Sequence, residues 1–142
     1  MRKMIPILGM ALLAAASASF AGEPAVDSVT LRVTLGDFDS TFVVTRRPGG
    51  AILSFRRSDG IEKSVVLTDR DWREILVIAS GPGLMNASDE LCPRRSVEFT
   101  VRGLGAPRLV RACAGAGSGA GAILMRLADA LGAAIWLKPA EA

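Results

Sequence analysis

The carboxylates of this chain come in pairs. Asp37-Phe38-Asp39-Ser40-Thr41 sets two of them one residue apart, with hydroxyls following. A turn carrying two carboxylates could hold a divalent cation. Asp69/Asp71 and Asp89/Glu90 are further pairs of the kind general acid–base chemistry uses. Gly115-Ala116-Gly117-Ser118-Gly119-Ala120 spells G-x-G-x-x-A, a pattern that lets a pyrophosphate approach a helix N-terminus. Against these stands a chain with no His and no Tyr. That removes Ser-His-Asp and Cys-His nucleophile systems, histidine-based zinc sites and the commonest general base near neutral pH.

The elements needed to position such groups are missing from the pattern. The D-x-D-x-T spelling resembles that of the haloacid-dehalogenase phosphatases, a family that needs a loop and helix after the motif. Here it leads into Thr41-Phe42-Val43-Val44-Thr45, a β-branched and aromatic strand, so it reads as a polar hairpin turn. A calcium loop would need further ligands beyond the turn. The glycine tract lacks the second parallel strand with an acidic residue that a dinucleotide fold requires, and Asp69 and Asp71 read as helix capping. No catalytic residue, cofactor or metal site is expected. A small metal-dependent hydrolase using Asp37 and Asp39 is the enzyme alternative.

Compartment is more legible than chemistry. Arg2 and Lys3 precede an uncharged apolar run from Met4 to Ala18, and Ser19-Phe20-Ala21 fits a signal peptidase pocket. The expected organisation is a signal peptide over 1–21 and a single domain over 22–142, periplasmic or secreted from a bacterium. The leader takes two of the 17 basic residues and none of the 14 acidic ones, which leaves a net charge of +1. Such a balance gives no reason to expect a nucleic-acid partner. The two cysteines, Cys92 and Cys113, then read as one disulfide. Closing a loop of that length is worth about 3 kcal/mol in the chain-entropy model.

Period-two patterns and turn residues predict strands at Val29–Leu35, Thr41–Thr45, Ala51–Arg57 and Ile61–Leu67, joined tightly enough to pair antiparallel. Thr68 caps a predicted helix over about 69–79, with Trp72, Ile75, Leu76 and Ala79 on one stripe. Gly81-Pro82-Gly83 stops it, and 81–94 reads as a long loop. Ser96–Arg102 and Arg108–Ala112 form a hairpin. A last helix runs to about Leu131 with Gly132 as its stop, Ile123, Leu127, Ala130, Leu131 and Ala134 sharing a face. Arg126 and Asp129 interrupt it, so no membrane span is expected in the mature chain. Trp136-Leu137 reads as a docked tail or short strand, and both tryptophans as core. The expected fold class is α+β: an antiparallel sheet of about six strands (four, then a helix, then a two-strand hairpin), a second C-terminal helix and one disulfide.

This order, with its helix beginning Thr68-Asp69-Arg70-Asp71-Trp72, its hairpin at Val97–Ala112 and its terminal helix around Ile123–Leu131, resembles emfourin-type proteinaceous inhibitors of thermolysin-like metalloproteases. The resemblance implies a protein partner and protease inhibition; the export signal and the cysteine pair depart from it. The preferred function is thus an exported, non-catalytic protein that binds another protein. Its candidate contact surface is the loop at 81–92, with Leu84, Met85, Asn86, Asp89 and Glu90, held at one end by Cys92. The doublets Arg46-Arg47, Arg56-Arg57 and Arg94-Arg95 offer a second reading, an envelope protein that binds anionic lipid or glycan phosphates.

Overall fold

Alternation of apolar and polar side chains builds a sheet with two unlike faces. The computed structural model describes residues 26–85, 87, 89, 92–103, 107–114 and 119–137. The predicted leader, Asn86, Glu90 and glycine-tract residues 115–118 lie outside them. Six strands, β1 (Val26–Leu35), β2 (Phe38–Arg47), β3 (Gly50–Arg57), β4 (Glu62–Thr68), β5 (Arg95–Gly103) and β6 (Arg108–Cys113), pair antiparallel in the order β4-β3-β2-β1-β5-β6. Among the described residues three helices accompany them: α1 (Asp69–Ser80), α2 (Pro82–Met85) and α3 (Gly119–Leu137). The expected α+β class and strand grouping are the ones observed.

Register carries the face assignment. Phe55 stands opposite Phe42, Phe42 opposite Leu31, Leu31 opposite Phe99 and Phe99 opposite Val110, so one belt of large side chains crosses the sheet. Residues directly opposite in an antiparallel ladder point the same way, and this belt is the core under the helices. On the outer face the corresponding row reads Glu62, Arg56, Thr41, Arg32, Glu98 and Arg111, polar throughout.

From the edge strand β4 the chain must return across the sheet to β5, and α1 makes most of that crossing. Twelve residues of helix span about 18 Å, close to the four strand spacings of about 4.8 Å that separate β4 from β5. A capping box starts α1: Thr68 Oγ1 accepts from the Asp71 amide at 3.0 Å, and Asp71 Oδ2 accepts from the Thr68 amide at 3.0 Å. Its predicted stripe of Trp72, Ile75, Leu76 and Ala79 is buried. At its other end Arg108 Nη2 donates to the Ala79 carbonyl at 2.7 Å, a cation where the helix needs one.

Two predicted boundaries are corrected. The expected 81–94 loop contains a turn of helix, α2, with Pro82 at its first position, where a missing N–H costs nothing. A Cβ on Gly83 would collide with Ile123 Cδ1, so the glycine admits α2 close to α3. The last helix does not stop at Gly132 but continues to Leu137, which replaces the expected tail or strand at Trp136-Leu137 with helix. Burial of Ile135 and the packing of Trp136 on Phe55 outweigh the roughly 1 kcal/mol that a mid-helix glycine costs.

Cys92 and Cys113 form a disulfide with Cα atoms 5.3 Å apart, a normal span. It ties the segment before β5 to the end of β6.

Candidate functional site

Of the residues predicted to face a partner, the structure describes the side chains of Leu84 and Asp89, and the two are placed differently. Leu84 is 1% exposed and belongs to the core, because α2 turns it inward between α1 and α3. That corrects its assignment as a contact residue. Met85 ends α2. Asp89 is exposed, but both its oxygens accept from Arg111, Nε to Oδ1 at 2.9 Å and Nη2 to Oδ2 at 2.8 Å. These hydrogen bonds hold the Asp89 carboxyl below its ordinary range and raise the Arg111 guanidinium. With the nearby disulfide, the pair pins this segment to the sheet at two points.

Asp37 and Asp39 are separated by their environments. Asp37 sits exposed in the β1–β2 turn. Asp39 accepts from Thr34 Oγ1 at 2.6 Å and from Arg32 Nη2 at 2.9 Å, and these bonds, the Thr34 one first, lower its pKa. Such a carboxylate already has its partners and serves the hairpin. Arg57 likewise grips Asp59 with two bonds of 3.0 and 2.8 Å. Arg56 points to the outer face and pairs with Glu62 at 3.0 Å, so that doublet is split between faces as alternation predicts.

What the sequence reading missed lies between the helices. A groove of about 360 Å³ runs along α1 and α3, lined by Leu67, Ile75, Ile78, Leu127, Ala134 and Leu137 among others. Asp71 and Glu74 of α1 also line it, while α3 brings no charge. The cause is the composition of α3. Its buried stripe is Leu124, Leu127, Ala128, Leu131 and Ile135. Of the face predicted from spacing, Leu127 and Leu131 belong to that stripe, while Ile123, Ala130 and Ala134 stay partly or fully exposed. The helix is therefore apolar over more of its girth than the sheet covers. By length and composition α3 could cross a membrane, yet here its buried stripe covers the sheet and Arg126 and Asp129 are exposed.

Beside the groove, Trp136 is 47% exposed, which corrects its assignment to the core; Trp72 is core, at 3%. The indole lies over the edge of the sheet. Its ring meets Phe55 edge-on at 6.1 Å, with Lys63 Nζ 4.5 Å and the Arg57 guanidinium carbon 5.9 Å from its centroid. Leu137, 80% exposed, joins this patch to the groove. Aromatic and cationic side chains side by side are typical anchors of protein contacts.

No family model, curated protein or solved structure matches the chain. Its class is defined by the fold alone: an open six-stranded antiparallel sheet with helices on one face and one disulfide.

Proposed function

We propose that the protein is an exported, non-catalytic binding protein of the periplasm or the exterior, whose partner is another protein seated in the α1–α3 groove. The observation that carries this reading is the row Ala130, Ala133, Ala134 and Leu137 of α3, left partly or fully exposed where it lines the groove. Charge selects the occupant. With Asp71 and Glu74 on one wall and no cation on the other, the groove suits an amphipathic segment with apolar residues inward and Lys or Arg along one flank. The Arg70–Glu74 pair, 3.5 Å apart and largely exposed, is weak enough to be exchanged. The disulfide points to an oxidising compartment outside the cytoplasm. Inhibition of a metalloprotease is the specific version that the resemblance in element order supplies.

Ala130 and Ala133 are exposed on α3 at the groove, so Ala130→Glu with Ala133→Glu fills and charges it without touching the core. Quantitative affinity capture from the organism's envelope and medium should retain a protein on wild type and lose it on this variant. The retained protein should carry a basic amphipathic segment, and a peptide of that segment should compete. Equal retention by both proteins would end the reading.

A further inference from the structure

At the opposite end of the β2–β3 hairpin from the outer Arg56 pair, a second and larger cleft opens, about 750 Å³ in volume. Trp72 and Leu76, both buried, give it an apolar floor. Arg46 and Arg47 line it from the end of β2, and Arg73 lines it from the first turns of α1. Alternation should send Arg46 and Arg47 to opposite faces, but the strand ends there. Pro48-Gly49 turns the chain, with Gly49 at φ 81°, and both arginines reach the same cleft.

Charge accounting separates Arg46 and Arg47 from the arginines already paired with carboxylates. Arg32, Arg56, Arg57 and Arg111 each hold a carboxylate within 3.0 Å. Arg73 pairs with Asp69 at 2.8 Å and neutralises it. Arg46 and Arg47 have no carboxylate partner among the described residues. Asp27, from β1, is the one lining acid left to oppose them, so the cleft keeps an excess of one positive charge. The N-terminal end of α1 adds its positive dipole to the same side. Two unpaired planar donors above an apolar floor match an anion attached to an apolar body.

We infer that this cleft is a binding site for a phosphate group carried on an apolar or partly apolar ligand, held by Arg46 and Arg47 with the ligand body against Trp72 and Leu76. The inference does not depend on the groove between the helices, which lies elsewhere. Phospholipid headgroups and soluble phosphate esters share this chemistry.

The test is flotation of the purified, oxidised protein with vesicles of phosphatidylcholine containing phosphatidylglycerol, and calorimetry with glycerol phosphate. Binding in either assay that weakens with added salt is the expected result. Binding of the soluble ester assigns a phosphate ester as the source; binding only to the vesicles assigns a lipid. Arg46→Ala with Arg47→Ala should cost about tenfold or more in affinity, with unchanged melting temperature because both side chains are exposed. Asp27→Asn should tighten binding by removing the opposing charge. Arg94→Ala with Arg95→Ala removes equal charge elsewhere and should leave binding unchanged. No binding in either assay, or equal loss from the two double variants, would overturn the inference.

Discussion

A leucine before a run of polar residues can face a partner or the interior, and the two placements predict different mutants. Leu84 sits in the core between α1 and α3. Leu84→Ala should therefore cost about 2–5 kcal/mol of stability, measured by urea unfolding. A contact residue would have left stability unchanged. Spacing alone did not show this, because the inward turn of Leu84 depends on α3, which comes much later in the chain. Asp39, Asp59 and Asp89 teach the complementary lesson. Each has a folded-state pKa below its ordinary value of 3.8, held there mainly by hydrogen bonds from Thr34, Arg57 and Arg111 respectively. A lowered carboxyl pKa adds stability that is fully present above the ordinary value and is lost as pH falls through the folded one. Urea midpoints should thus hold steady from pH 7 to about 5 and decline below about 4. Arg111→Gln should make that acid decline shallower by removing the cause of the Asp89 shift.

Helix ends divide into those fixed locally and those fixed by tertiary contacts. The start of α1 was readable because its cap is local: Thr68 and Asp71 satisfy each other's amides within four residues. Thr68→Ala should cost about 1 kcal/mol in urea unfolding. The end of α3 is decided by tertiary contacts instead. Gly132 looks like a stop, but Phe55 and the core beneath Ile135 keep the helix going past it. A methyl group at Gly132 would meet nothing within 4 Å. Gly132→Ala should then raise stability by about 0.5–1 kcal/mol, read as a higher urea midpoint. A loss on that substitution would mean the helix ends where the glycine suggests. The same blindness explains the groove: spacing placed Leu127 and Leu131 on the apolar face of α3, but only packing reveals that Leu124, Ala128 and Ile135 join them while Ala130 and Ala134 stay at the groove.

For the whole molecule, local pairings were legible and distant ones were not. Asp59-Gly60 and Pro48-Gly49 announce hairpins by turn chemistry, whereas the pairing of β1 with β5, which joins the two halves of the sheet, leaves no local signal. The cysteine pair was legible from compartment and count, and reducing it should lower stability by about 3 kcal/mol in urea unfolding under otherwise identical conditions. The proposed function rests on one feature of this assembled form, an apolar groove between α1 and α3. Methyl chemical-shift mapping as the captured partner, or its basic amphipathic segment, is added tests that feature most directly. The account predicts shifts concentrated at Ile75, Ile78, Leu127, Ala130, Ala134 and Leu137. Shifts confined to the outer sheet face, or to the segment around Asp89, would contradict it.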